Sequence, residues 1–239
     1  MVHFTRLFAA LSLFLFTAVK SWNNCNLLDF GATGDGVTSD DKAFRLALAC
    51  LGSGGTLDIP AGTYLLSPFN VTSNMDLYLS SSRSVLLADS SLMLEWPLVE
   101  AYPSYDPGDG FRLAPFIGGN YISNTTIRGS GTIDGQGVPW WAAKKEGGIL
   151  THDRPRLVEP MYCSNFSMVG VTVKDPPFWA MHPYACEYLL FENIIFSAAL
   201  DSPNTDGIDP DSCGHVLIKN FTVLGTGDDG NQTQYKRLP

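Results

Sequence analysis

Hydrophobic positions along the chain fall into three regimes. The first is a mainly apolar run from Leu7 to Val19, behind His3 and Arg6. A charged start followed by a short apolar stretch is the pattern of a secretory signal, and the run falls short of the ~20 residues a membrane helix needs. Residues 1–21 are therefore expected to be a signal peptide, with no membrane association after its removal. The second regime spans residues 40–50 (DDKAFRLALAC), where Ala43, Phe44, Ala47 and Leu48 recur at helical spacing behind Asp40 and Asp41. It predicts one short amphipathic helix, the only clear helix of the chain. From Thr56 onward, brief runs of Val, Ile, Leu, Phe and Tyr alternate with clusters of Gly, Asn, Asp, Ser and Pro, which predicts many short strands. Those strands are expected at 56–59, 76–79, 84–87, 127–133, 167–173, 188–196 and 216–223, with no helical stretches between them to build βαβ units.

The strand-rich half repeats itself. Cys163 and Cys186 are 23 residues apart, and the same shift lays Val171 on Ile194, Val173 on Phe196 and Asp206 on Asp229. A further step of 27 carries Asn193, Ile194 and Phe196 onto Asn220, Phe221 and Val223. Several strands per period of this length predict an all-β parallel β-helix, in which each coil bonds to the next and buries inward apolar columns. A sandwich or barrel, whose strands also recur at short spacing, is the alternative.

With 239 residues, 45% hydrophobic and 16% charged, the chain has enough apolar material for one packed domain. A net charge of −9 sets nucleic acid and anionic membrane surfaces aside as partners. Five cysteines, Cys25, Cys50, Cys163, Cys186 and Cys213, show no CxxC or His-Cys spacing, so disulfides fit better than zinc. The odd count leaves one unpaired, and Cys213, nearest the C-terminus, is the candidate. Sequons at Asn70, Asn124, Asn165, Asn220 and Asn231 agree with passage through a secretory pathway.

The densest polar cluster runs from Asn204 to Asp211 (NTDGIDPD), with Gly227-Asp228-Asp229 following one coil later. In the repeat register, Asp206 and Asp229 stand at equivalent places on coils about 4.8 Å apart. Like charges at that range raise at least one pKa, and Asp228 adds a third carboxylate beside them. One group holding a proton while its neighbours stay ionised is what glycoside hydrolysis requires, and an inverting site expects ~6.5–9.5 Å between acid and base to admit a water. Two other readings stay open: turn aspartates that bond their own backbone, and a calcium loop on Asp206, Asp209 and Asp211.

Asn204-Thr205-Asp206-Gly207 followed by Gly227-Asp228-Asp229 resembles the first two signature motifs of the polygalacturonase family, glycoside hydrolase family 28. Residues 30–36 (FGATGDG), residues 131–137 (GTIDGQG) with Trp140-Trp141, and Pro177-Phe178-Trp179 with His182-Pro183 are similar to further landmarks, so the match runs from about Asn26 to Asp229. The resemblance implies a right-handed parallel β-helix with a short N-terminal capping helix, over residues 22–229. It implies hydrolysis of α-1,4-linked galacturonic acid with inversion and without metal or cofactor, by a secreted monomer whose partner is a pectic polysaccharide in the extracellular space or cell wall. Asp228 then matches the general acid, Asp206 and Asp229 the pair that activates water, and Asn204 a contact to sugar hydroxyls. For Trp140, Trp141, Phe178 and Trp179, burial is a more economical reading than sugar stacking, and His182 reads as a buried, hydrogen-bonded histidine.

After Gly227-Asp228-Asp229 the family continues with Gly-His-Gly and Arg-Ile-Lys motifs, whereas residues 230–239 diverge. The solenoid is accordingly expected to be incomplete at its C-terminal end, with no opposing Arg or Lys to meet the substrate carboxylate. A non-catalytic carbohydrate-binding β-helix is the second expectation for function. A calcium-dependent lyase is a third, which no Arg or calcium cluster supports.

Overall fold

The computed structural model describes residues 22–103 and 108–230. The expected signal peptide at 1–21 and all but the first residue of the expected tail lie outside the described residues. The chain winds as a right-handed parallel β-helix. Two seven-stranded parallel sheets run along it. A third, made of Phe69–Asn70, Ile117–Asn120 and Val158–Met161, is continued by single bridges from Val158 to Met181 to Ile208.

The repeat read from the sequence is the register of these sheets. Val173 pairs with Phe196, a step of 23, and Phe196 pairs with Val223, a step of 27. The predicted strands over 127–133, 167–173, 188–196 and 216–223 are each broken in two, as in Ser123–Gly129 with Thr132–Asp134 and Glu187–Glu192 with Ile195–Ser197. The break is a corner with a left-handed residue: Gly129 (φ 126°), Gly170 (78°), Asn193 (56°) or Asn220 (48°). Glycine and asparagine tolerate this region where other residues are strained. Inward columns are apolar. Tyr64, Leu86, Ile133, Val173 and Phe196 stack in one sheet with no exposed surface.

Helix α1, Asp41–Cys50, packs Ala43, Phe44 and Ala47 against the first coils, and the Cys25–Cys50 disulfide ties it down. Asp40 serves another purpose than the helix start: its buried carboxylate accepts from the backbone of Thr33 (2.6 Å) and Gly34 (3.1 Å). A second helix, α2, Gly137–Glu146, corrects the expectation of one. It lacks an amphipathic repeat and is held by tertiary burial. Trp140 packs edge-on against Trp96, while Trp141 donates to the Pro176 carbonyl at 2.9 Å. Cys163 and Cys186, one coil apart, form the second disulfide and Cys213 is free, as the odd count suggested. Among the described residues no helix is long and apolar enough to cross a membrane.

Candidate active site

The site grows out of one irregularity in the winding. Between the second and third sheets six residues separate Lys174 from Met181, but ten separate their register partners Ser197 and Ile208. The four extra residues swell this turn, in which Ser202 N–H donates to the Ala199 carbonyl at 3.1 Å. The same insertion explains why the step lengthens from 23 residues (Val173 to Phe196) to 27 (Phe196 to Val223).

The swollen turn grips the equivalent turn of the next coil. Thr205 Oγ1 accepts from Gly227 N–H (2.9 Å), and Thr226 Oγ1 donates to the Thr205 carbonyl (2.6 Å). Any Cβ on Gly227 would run into the Ser202 carbonyl, so the approach demands glycine there. Gly207 N–H donates to the Asp229 carbonyl at 3.0 Å, which seats Asp206 beside Asp229 on adjacent coils.

Asp206, Asp228 and Asp229 consequently converge, with one carboxylate oxygen from each lying within 4.8 Å of the other two. Asp206 is 5% exposed, while Asp228 and Asp229 face solvent. Burial, reinforced by the charges of Asp228 and Asp229, pushes the Asp206 carboxyl up to about 6. The trio has the oxygen donors to hold a hard cation as well as to move a proton. The calcium set read from the sequence does not form, since Asp209 stands in a different column, in register with Glu159 and His182.

Asn204, left-handed at φ 51°, donates through Nδ2 to Asp228 Oδ2 at 3.3 Å. Its amide is oriented by Arg154, whose Nη2 donates to Asn204 Oδ1 at 2.9 Å and whose Nη1 donates to the carbonyls of Pro203 (2.6 Å) and Pro177 (3.0 Å). Arg154 is fully buried and stacks on Phe178. Sequence reasoning missed this residue. The signal was Asp153-Arg154-Pro155-Arg156, two arginines around a proline in an acidic chain, and both prove to be buried.

Beside the acids lies a buried ionic cluster. Glu159 pairs with Arg112 and Arg156 and accepts from His182 Nδ1 at 3.1 Å. Burial works against its charge, but Arg112, the His182 bond and Arg156 outweigh it and hold the Glu159 carboxyl below its ordinary range. Burial drives the His182 pKa down, so the ring is neutral and donates from Nδ1. His182 is thus the buried, hydrogen-bonded histidine expected, now with its partner identified. Trp140, Trp141 and Phe178 are buried, and Trp179 is half-buried under Arg156.

Residues 56–231 match the family model described as "Glycosyl hydrolases family 28". A "Probable polygalacturonase" of Vitis vinifera is 37% identical over 216 residues, covering 87% of this chain and 43% of that protein. An "Exopolygalacturonase" of Zea mays is 30% identical over 210 residues, covering 85% and 47%. The solved structure of a hyperthermoactive exopolygalacturonase from Thermotoga maritima superposes with a TM-score of 0.74 at 26% identity, covering 90% of this chain and 54% of that one. The chain thus spans less than half the length of these plant relatives. On the family match and these identities, the chain belongs to glycosyl hydrolase family 28.

Proposed function

We propose that this chain carries the proton-transfer half of a polygalacturonase site, which hydrolyses α-1,4-galacturonosyl linkages of pectin with inversion. Asp228 is the general acid that protonates the leaving oxygen. Asp206 and Asp229 hold and deprotonate the attacking water between them. Asn204 keeps Asp228 oriented and has a second amide N–H for a sugar hydroxyl. The observation that carries this reading is the convergence of three carboxylates on adjacent turns of a solenoid. Family membership and the names of the relatives support the substrate class. A secreted monomer acting on pectic polysaccharide is the corresponding assignment of place and partner.

Asp228→Asn is expected to lower reducing-end release from polygalacturonate by about 10²–10⁴, the loss typical of a general acid. Unchanged release would overturn the role. Proton NMR of the first product formed should show the anomer of inverted configuration, and retention would refute the single-displacement scheme.

A further inference from the structure

Three of the five cysteines form a column. Glu187 N–H donates to the Cys163 carbonyl at 2.8 Å and Gly214 N–H to the Cys186 carbonyl at 2.9 Å, so Cys163, Cys186 and Cys213 follow one another coil by coil. The disulfide takes the first two and leaves the third as a thiol. Their surroundings repeat with the coil. Cys163 N–H donates to the Cys186 sulfur at 3.2 Å, and Cys186 N–H to the Cys213 sulfur at 3.3 Å. The Cys186 sulfur lies 3.4 and 3.3 Å from the carbonyl oxygens of Pro160 and Tyr184. The Cys213 sulfur lies the same distances from those of Pro183 and Asp211, their counterparts one coil on. The Cα atoms of Cys163 and Cys186 are 4.6 Å apart, and strand stacking sets about 4.8 Å for the next pair, inside the ~4.4–6.8 Å that a disulfide spans.

We propose that Cys186–Cys213 is a second disulfide site of this fold, reached from Cys163–Cys186 by exchange within the column. The Cys213 thiolate attacks Cys186 Sγ, the bond to Cys163 breaks, and Cys163 leaves as a thiolate that takes up the proton Cys213 gave up. One disulfide and one thiol stand on each side of the exchange, so it needs no oxidant or reductant. Stacking puts the attacking and leaving sulfurs on opposite sides of Cys186, as displacement at sulfur requires. Burial, with the charges of Asp211 and Glu187 adding to it against the bond from Cys186 N–H, pushes the Cys213 thiol up to about 12. Thiolate is therefore scarce at neutral pH and the exchange is slow there, while alkali speeds it. The coil of Cys186 runs on into the turn of Asp206, and the coil of Cys213 into Asp228 and Asp229. Moved up one coil, the disulfide staples together the two coils that supply the acid cluster. The staple is the same whatever reaction that cluster catalyses.

Disulfide mapping of the full chain tests the exchange. After incubation at about pH 9 without added thiol, alkylation in mild acid and peptide mass spectrometry, Cys163 should be the alkylated residue in about a tenth of the molecules or more, with a matching Cys186–Cys213 cross-link. Cys163→Ser removes the resting pair. With oxidised glutathione accepting the two electrons and two protons, that variant should form the Cys186–Cys213 link and retain no free thiol. Hydrogen exchange over 214–223 should then be about tenfold slower than in Cys213→Ser, where that coil is not stapled. Cys213 as the sole alkylated thiol after equilibration would overturn the proposal, as would links from this column to Cys25 or Cys50, the mark of random reshuffling in unfolded chain. So would a folded Cys163→Ser chain that keeps two free thiols or holds glutathione in place of the link. The map of the unaltered chain decides the matter even where Cys163→Ser fails to fold.

Discussion

Two columns of this solenoid are built by the same stacking and made of opposite chemistry. In one, Tyr64, Leu86, Ile133, Val173 and Phe196 lie over one another with no exposed surface. In the other, Glu159, His182 and Asp209 follow coil by coil along the third sheet, just as thoroughly buried. Each apolar rung stabilises the fold by removing surface from water, whereas each ionic rung must recover a desolvation cost through its partners. The contrast teaches that the coil repeat specifies spacing and leaves chemistry free. Where a column is filled with charge, the flanking arginines and the neutral histidine are the compensation, and the catalytic acids sit at its border.

The largest effects come from emptying one rung in each column. Phe196→Ala should cost about 3–5 kcal/mol through a cavity. Glu159→Gln should cost a comparable ~3–5 kcal/mol, because it leaves Arg112 and Arg156 buried without their counter-charge. Acid separates the two. Glu159 is held below its ordinary range in the fold, so its contribution is present above the unfolded carboxylate value of about 4.3 and is lost as pH falls through the folded one. Urea unfolding should therefore show the Glu159→Gln deficit shrinking on acidification and the Phe196→Ala deficit holding. Equal behaviour of both variants across pH would mean that the ionic column behaves as simple packing.

Asp206 should respond with the opposite sign. Its folded value of about 6 lies above the ordinary 3.8, so the fold favours the protonated form. Below about pH 4 the group is protonated in both states and carries no penalty; as pH rises toward 6 ionisation in the buried position costs stability, levelling off above that. Asp206→Asn is expected to stabilise the chain by about 1–3 kcal/mol at neutral pH and by little near pH 4, while removing hydrolysis. A loss of stability at neutral pH would show that the strain assigned to the acid cluster is absent.

Much of this was legible from residue order. Val173, Phe196 and Val223 revealed the register because inward apolar positions recur with the coil, and Asp206 and Asp229 were brought together by the same count. What escaped has a physical reason in each case. Helix α2 is stabilised by Trp140 and Trp141 meeting distant partners, which leaves no local periodicity to detect. Arg154 reaches Asn204 across fifty positions, so the two arginines around Pro155 could flag the residue but not its partner. Strand breaks were missed because Val, Ile and Phe continue through the corners, and only the left-handed glycine or asparagine marks them.

Those corners yield the smallest prediction and the finest probe of the contrast. Asn193 and Asn220 occupy equivalent bends at φ 56° and 48°, and Asn220 Nδ2 donates to Asn193 Oδ1 at 3.0 Å. The position therefore joins a backbone requirement to a polar ladder on the solvent side. Asn193→Ala should cost about 1 kcal/mol, since alanine is strained in the left-handed region and the side-chain acceptor is lost. Asn193→Gly removes the strain and keeps only the loss of an exposed hydrogen bond, a few tenths of a kcal/mol by the usual discount for solvent competition. If glycine proved as damaging as alanine in thermal or urea unfolding, the ladder rather than the bend would be what asparagine supplies, and outward polar columns would rank with the inward apolar ones in holding the coils together.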